Sequence, residues 1–248
     1  VLGCYEAKSL GQQLQLPPSR SYREYITWLQ KQNLAVAEQF WRQTLQGVTA
    51  PTPLVVDTHH SNQVQQSYSE EILTLSTAAT SALVMAARQH QLTLNTLVQA
   101  AWAILLSRYS SETDVVFGVT VSGRSPGITG VESIVGLFIN TLPMRVTLSN
   151  EDTVLAILKQ IHKQQVEIST YEYTSLVQIQ QMTDVPRGLP LFESIVVFEN
   201  YPVDEALQQN SQKLHISDVR AFERTNYPLT VVALPGKQLS LRFVYDSQ

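Results

Sequence analysis

The stretch VGLFINTLPMR, residues 135–145, decides the fold, because it joins an apolar run to an alternating strand through the polar pair Asn140–Thr141. Alternation predicts one strand face made of Leu142, Met144, Val146 and Leu148, and an opposite face made of Pro143, Arg145 and Thr147. Buried polar groups need hydrogen-bond partners, and at the end of a strand these often include a ligand. Asn140 therefore either closes a turn or meets a ligand, and the residues alone leave both alternatives open.

Strand and helix patterns alternate on both sides of this stretch. VVFGVTV, residues 115–121, is a near-continuous apolar strand, as expected where both faces of a sheet are covered. Helices are predicted over 22–45, 77–90, 93–108 and 150–169, the last beginning at Asn150. Further strands are predicted over 69–75, 194–200 and 214–222 and in a hairpin about residues 235–238. The order indicates an α/β or α+β layered domain built on a mixed sheet.

The helix predicted over 93–108 has apolar residues at helical spacing. This stripe is expected to face the core, and its members are Leu94, Leu97, Val98, Ala101 and Leu105.

Composition excludes several classes of protein. The 248 residues are 44% hydrophobic and 15% charged, and the net charge of −4 argues against non-specific nucleic-acid binding. The single cysteine, Cys4, excludes an intramolecular disulfide and fits a reducing, cytoplasmic location. No apolar run is long enough for a membrane helix, and the first residues lack the pattern of a signal peptide. Because Val1 is not an initiator methionine and the last strand pattern stops abruptly, we expect a piece of a longer chain.

Local chemistry points to no catalytic or metal centre. The pair His59–His60 follows Asp57, which is a spacing that can orient an imidazole base, but the segment is a polar loop with nothing to fix that geometry. The histidines lack metal-ligand spacing with cysteine or carboxylates, and no phosphate loop or nucleophile elbow is present. We therefore predict no catalytic residue and no metal ligand in this chain.

Five ordered motifs nevertheless resemble one family. They are YREYITWL (22–29), DVVFGVTVSGRSPGITGVESIVGLFINTLPMRV (114–146), YEYTSLVQIQ (171–180), LFESIVVFENYP (191–202) and ERTNYPLT (223–230). Together they resemble the C-terminal lobe of a non-ribosomal peptide synthetase condensation domain, in the chloramphenicol-acetyltransferase-like superfamily. The resemblance implies an α/β two-layer sandwich, a mixed β-sheet covered by helices. Residues 1–20 would be a linker from the missing N-terminal lobe, and 21–248 the C-terminal lobe, truncated at its C-terminal end.

The sequence departs from the family pattern at two points. Ser175 stands where a proline is usual. The family's catalytic motif, HHxxxDG, belongs to the N-terminal lobe, and His59–His60 does not match it because Val64 and Gln65 occupy the Asp and Gly positions. The resemblance therefore implies half of a two-lobed enzyme domain, without the catalytic histidine and inactive alone.

The resemblance also implies a role for this half. Two lobes enclose a tunnel in which one carrier-bound aminoacyl thioester attacks another to form an amide, and holding both in one tunnel supplies orientation. This half would give one tunnel wall, a floor loop that begins at Ser122, and a latch over residues 201–217. The implied tunnel or pantetheine-binding residues are Ser122, Gly123, Arg124, Gly136, Asn140, Thr141, Arg145, Asn226 and Tyr227.

Alternatives remain for several of these side-chain roles. Arg124 and Arg145 would contact a pantetheine phosphate or form salt bridges that pin the lobes, and salt bridges are the favoured alternative. Asn226 and Tyr227 would lie near the tunnel or simply form a turn before a strand.

The expected partners are the N-terminal lobe, donor and acceptor peptidyl carrier proteins and an adjacent adenylation domain, with no nucleic acid and no membrane. The expected cofactor is phosphopantetheine carried by those carrier proteins, with none bound by this lobe. The alternatives for the whole chain are a lobe of an epimerisation or heterocyclisation domain, or a non-catalytic module that docks carrier proteins.

Overall fold

The computed structural model describes residues 2–13, 19–54, 68–124, 127–199 and 225–246. Within these ranges the helices are α1 (Leu2–Ser9), α2 (Tyr22–Leu29), α3 (Leu34–Thr44), α4 (Thr77–Gln89), α5 (Leu94–Ser110), α6 (Val154–Ser169) and α7 (Leu176–Gln181). The strands are β1 (Tyr68–Thr74), β2 (Asp114–Val121), β3 (Asn140–Thr147), β4 (Ser194–Phe198), β5 (Leu229–Leu234) and β6 (Ser240–Asp246).

One six-stranded mixed sheet organises the described chain, in the order β1-β6-β5-β4-β2-β3. The three strands β2, β4 and β5 run parallel to one another, whereas β3, β6 and β1 pair antiparallel with their neighbours. The hairpin predicted about residues 235–238 joins β5 to β6 and is confirmed. The mixed sheet with helices confirms the predicted α/β class, while the strand predicted over 214–222 lies outside the described residues.

The core lies around the centre of this sheet. Leu142, Met144 and Val146 of β3 are fully buried, as the alternation predicts, and Thr147 is exposed. Pro143, predicted to face the opposite side, is buried as well. In β2, residues 115–119 are all buried, which confirms a strand covered on both faces. A methyl group on Gly118 would lie 2.6 Å from the Ile195 side chain, so this position must stay small.

Helix α5 buries a different face from the predicted one. Of the predicted stripe only Val98 is buried, and Ala101 and Leu105 are exposed. The buried face instead includes Trp102, whose indole N–H donates to the Ser194 hydroxyl of β4 at 3.2 Å. Apolar residues occur all round this helix, so periodicity alone cannot choose the face that meets the sheet.

Several predicted boundaries are wrong for reasons of capping. The helix predicted over 22–45 is two helices, because the Asn33 side chain accepts hydrogen bonds from the N–H groups of Ala35 and Val36 and starts α3. Helix α6 begins after Thr153, whose side chain caps it, rather than at Asn150. Residues 2–9 form helix α1, and the assignment of residues 1–20 to a linker stays a prediction.

Candidate functional site

A left-handed glycine turn leaves the carboxyl end of β2. Gly123 is buried and has φ +62°, a conformation that side-chain-bearing residues rarely adopt. A methyl group on it would overlap the carbonyl oxygen of Phe138 and lie 2.8 Å from the carbonyl carbon. The turn therefore presses directly against the backbone that enters β3, and only glycine fits.

Asn140 is the first residue of β3 and pairs with Val121, beside this turn. Its Nδ2 donates to the carbonyl oxygens of Glu172 at 2.9 Å and Thr174 at 2.8 Å. Its Oδ1 accepts the N–H of Thr141 at 2.9 Å. These bonds tie β3 to the chain between α6 and α7, so the amide group of Asn140 has long-range partners within the chain. A contact between Asn140 and a ligand stays a prediction.

The Glu172 carboxyl group completes the junction. It is half-buried, and loss of water contact raises its pKa above the usual 4.5, while a hydrogen bond from the Gly123 N–H acts in the opposite direction. Its charge also helps to raise the pKa of the Tyr25 hydroxyl on α2, which burial raises most. Three segments, at residues 122–124, 138–141 and 171–174, thus meet at one point of the fold.

An aromatic cluster packs on the end of the floor loop, defined here as the described residues 122–124 and 127–139. The buried ring of Phe138 lies 5.3 Å from the ring of Tyr22, edge-on, and 4.6 Å from that of Tyr25. The Tyr22 hydroxyl donates to the Leu137 carbonyl, and its ring lies over Gly136, where a β-carbon would come within 2.9 Å of the ring. Helix α2 is thereby fixed onto the floor loop, which accounts for the small residue at position 136.

Arg124 is engaged inside the floor loop. Its Nη1 donates to the carbonyl oxygens of Val131 at 2.7 Å and Ile134 at 3.2 Å. Its guanidinium lies 4.3 Å from the centre of the Phe138 ring, an attractive cation–π arrangement. In the described part of the chain no carboxylate lies within ion-pair distance of it. Its predicted contact with a phosphate or with the other lobe stays a prediction.

Arg145 lies at the opposite end of the β2–β3 pair. It donates to both carboxylate oxygens of Asp114, at 2.9 and 2.7 Å, and to the carbonyls of Thr44 and Gln46. The hydrogen bond to Asp114 raises the pKa of the guanidinium. The salt bridge joins β3 to β2, and the bonds to the Thr44 and Gln46 carbonyls hold the end of α3 against the sheet. A salt bridge from Arg145 that pins the two lobes stays a prediction.

Asn226 and Tyr227 also lie away from the Gly123 turn. Asn226 is exposed, and the ring of Tyr227 stacks on Phe192 at 5.3 Å, where burial raises the pKa of its hydroxyl. Both precede β5, which begins level with the middle of β2. The start of β5 is therefore about four residues, or about 13 Å at roughly 3.3 Å per residue, from the carboxyl end of β2. Of the two alternatives that the sequence left open for Asn226 and Tyr227, this arrangement corresponds to the turn before a strand.

An apolar stripe is exposed on the floor loop. The side chains of Val135, Leu137 and Ile139 are 82, 75 and 53% exposed, whereas the intervening Phe138 is buried. The alternation shows an extended segment with one face packed on α2 and the other uncovered. We call these three residues the apolar stripe.

The structure therefore brings together Ser122, Gly123, Arg124, Gly136, Asn140 and Thr141, and leaves Arg145, Asn226 and Tyr227 elsewhere. Sequence reasoning missed Glu172 and Thr174, whose only signal was membership of the 171–180 motif. The predicted latch, and the pair His59–His60, lie outside the described residues.

Two further observations concern the described residues as a whole. They contain no group of three or more His, Cys, Asp or Glu side chains arranged to hold a metal ion. None of their helices has both the length and the apolar character required to cross a bilayer.

The family is shown by comparison with known proteins. The sequence profile of the condensation domain matches residues 1–248, and the chain belongs to the condensation-domain family. It is 50% identical over 248 residues to a component of the linear gramicidin synthase of Brevibacillus parabrevis, covering 99% of this chain and 5% of that protein. It is 34% identical over 246 residues to bacitracin synthase 3 of Bacillus licheniformis, covering 98% of this chain and 4% of that one.

Solved structures share the fold. The X-domain from teicoplanin biosynthesis matches with a TM-score of 0.74 at 20% identity, covering 99% of this chain and 59% of the other. The starter condensation domain of rhizomide synthetase RzmA matches with a TM-score of 0.75 at 18% identity, covering 99% and 55%. These likenesses confirm the fold expected from the motifs. The chain spans little more than half of each solved chain and a small part of each synthase.

Proposed function

We propose that this chain is the carboxyl-terminal half of a two-lobed condensation domain of a non-ribosomal peptide synthetase. The intact domain would join two carrier-bound aminoacyl or peptidyl thioesters through an amide bond. This half would form one wall of the tunnel, and its partner half would supply the catalytic histidine. The observation that carries the proposal is the apolar stripe, which adjoins the Gly123 turn and has no covering surface among the described residues.

The stripe is well suited to meet a partner lobe. Single exposed apolar side chains are ordinary, but neighbouring ones that alternate along an extended segment form a patch, and such patches mark interaction surfaces. Burying a Val, Leu or Ile side chain contributes about 1.5–3 kcal/mol each. Since this chain spans 55–59% of those two solved neighbours, a partner of comparable size is expected, and the stripe gives it a place to dock.

The polar junction next to the stripe suits the tunnel wall. The backbone of Ser122, Gly123 and Arg124 would line the floor, and Asn140 and Thr141 would stand at the start of β3 beside it. Each thioester would arrive on the phosphopantetheine arm of a carrier protein. The residues of this half would then orient the two arms, and orientation can supply a large part of the rate.

Several finer assignments are part of the same proposal. Residues 201–217 would be a latch that crosses to the partner half, and an adenylation domain would be the neighbour in the synthetase. Arg145, Asn226 and Tyr227 would support the sheet from its other end. A cytoplasmic location rests on the single cysteine alone and stays a prediction.

The test is single-turnover amide formation between loaded donor and acceptor carrier proteins. It is run with this chain alone and with an added N-terminal half that carries HHxxxDG. The proposal expects product only in the mixture. Product from this chain alone would show that it contains its own catalytic base, and carrier binding without product in either case would favour a docking module.

A matched pair of variants tests the stripe separately. Val135→Ser alters a stripe residue, and Val166→Ser alters a valine on α6 that is 58% exposed. Both should leave the free energy of unfolding within about 0.5 kcal/mol of the parent. Only Val135→Ser should weaken association with the added half, and equal effects of the two changes would contradict the docking surface.

A further inference from the structure

The described residues bury their apolar side chains in two separate clusters. The larger cluster, the main core, joins the sheet to the helices and includes Phe117 of β2 and Ile161 of α6. The smaller cluster lies between α2 and the floor loop, and its buried members are Tyr25, Ile128, Val131, Ile134 and Phe138. Satellite clusters of this kind form beneath long loops. The smaller core gives α2 and the floor loop a source of stability of their own.

The two segments that share the smaller core are far apart in the sequence. The Tyr22 hydroxyl of α2 donates to the carbonyl of Leu137, which lies 115 residues later. The backbone of Arg20 forms a parallel bridge with the backbone of Ile134. Tyr25 supplies the α2 side of the core, and its ring centre lies 4.6 Å from that of Phe138. Because each segment covers the apolar side chains of the other, we expect the two to form and open together.

The backbone of the floor loop is satisfied largely from within the loop. The N–H of Ile134 donates to the Val131 carbonyl at 3.1 Å, and the N–H of Ser133 donates to the Gly130 carbonyl at 3.0 Å. The guanidinium of Arg124 donates to the Val131 and Ile134 carbonyls. Backbone polar groups need partners wherever water is excluded. These bonds supply such partners without any strand of the sheet.

The smaller core meets the rest of the fold at its margin. The chain leaves the sheet through the left-handed Gly123 turn and re-enters it at Asn140. On α2, the ring of Trp28 meets the ring of Tyr173 edge-on at 5.9 Å, and both residues are only half-buried. Segments joined to a fold by few buried contacts open at a lower free energy than its core strands.

We infer that α2 and the floor loop form one cooperative unit, which opens and closes as a body while the sheet stays folded. We call residues 20–29 and 127–139 the α2–loop unit. The apolar stripe is the outer face of this unit, because its residues alternate with the inward-facing Gly136 and Phe138. The partner half would therefore dock on the closed unit and shift its population towards that state. This last step rests on the proposed function, whereas the unit itself can be tested in the chain alone.

The first experiment is native-state hydrogen exchange of backbone amides in the full chain. Two matched variants each remove one buried methylene group. Ile134→Val alters the smaller core and Ile161→Val alters the main core, at residues that are 1% and 0% exposed.

The two variants should affect different sets of amides. Ile161→Val should speed exchange in β2 and β3 about two- to tenfold, and it should leave the α2–loop unit unchanged because the main core stays intact when the unit opens. Ile134→Val should speed exchange at α2 and at the Val131 and Ile134 amides by one common factor in the same range.

Two results would overturn the inference. If Ile161→Val speeds the α2–loop unit as much as the sheet, the unit opens only when the whole chain unfolds. If Ile134→Val speeds the loop amides but not those of α2, the two segments do not open together.

The second experiment repeats the measurement with the N-terminal half added at ten times its dissociation constant. Exchange of the α2–loop unit should slow about tenfold, because the half binds the closed state. Binding without any slowing in the unit would show that docking does not require its closure. If the half does not bind, the proposed function fails, and the exchange of the free chain still decides whether the unit opens separately.

Discussion

The most demanding prediction concerns Gly123→Ala. A non-glycine residue in the left-handed region costs about 1–2 kcal/mol. The added methyl group would also overlap the carbonyl oxygen of Phe138, a residue that is only 4% exposed, so the floor loop must move. Displacing well-packed structure in this way costs about 1–3 kcal/mol. The expected loss of unfolding free energy is therefore about 2–5 kcal/mol.

The chain contains a matched control for the strain alone. Gly47 has φ +81°, and a methyl group on it would meet nothing within 4 Å. Gly47→Ala should therefore cost about 1–2 kcal/mol. Urea denaturation of the parent and both variants, read at a common m value, gives the two losses. Their difference isolates the contact between Gly123 and Phe138.

The same variants separate stability from activity. Gly123→Ala should lower amide formation by the intact domain even where both variants are fully folded, because the floor loop is displaced. Gly47→Ala should leave the rate unchanged under those conditions. Equal losses of stability in the two variants would refute the close contact at Gly123, and a normal rate for folded Gly123→Ala would refute its place in the tunnel wall.

Two further changes test the charged groups. Arg145→Lys keeps the charge but cannot reproduce the bidentate contact with Asp114. Urea denaturation should therefore show a loss of unfolding free energy on the order of 2 kcal/mol. An unchanged denaturation midpoint would contradict a stabilising role for the Arg145 hydrogen bonds. For Glu172, burial raises the pKa in the folded protein above the ordinary value of 4.5, so the folded state favours the protonated carboxyl group. The stability that this group contributes is therefore fully present below pH 4.5 and is lost as the pH rises through the folded pKa. Glu172→Gln should therefore be more stable than the parent at neutral pH and should lose that advantage near pH 4. Tyr25 stays protonated over this range because its pKa is raised. A stability difference that did not vary with pH would contradict the buried charge at position 172.

Much of the sheet is predictable because its strands are short apolar segments bounded by turn and loop residues. The continuous apolar run of β2 predicts a strand covered on both faces, as observed. The alternation after Asn140 correctly predicts that Leu142, Met144 and Val146 lie in the core. These signals are local, since they depend only on the period of a strand. Helix α5 shows the limit, because a helix apolar on every side buries whichever face its tertiary neighbours require.

The half-buried position of Glu172 was not predictable from the local sequence pattern. A glutamate within YEYT looks like any polar residue in a connection between helices. It becomes half-buried only because the fold brings the connection between α6 and α7 against β3, through the bonds from Asn140 to the Glu172 and Thr174 carbonyls. Gly123 itself carried a signal, but the reason for a glycine there is the Phe138 carbonyl, which lies fifteen residues later.

The geometry of the sheet explains why the predicted site residues divide into two groups. The parallel strands β2, β4 and β5 direct their carboxyl ends to the same edge, the usual location of ligand sites in open α/β sheets. Gly123 and Asn140 lie at that edge, whereas Tyr227 precedes the amino end of β5 and Arg145 lies opposite Val116. The motifs therefore contain residues at both places in the sheet, and contact between any of them and a substrate stays a prediction. The strand direction separates the two groups, because it places Gly123 and Asn140, but not Tyr227 and Arg145, beside the exposed apolar stripe.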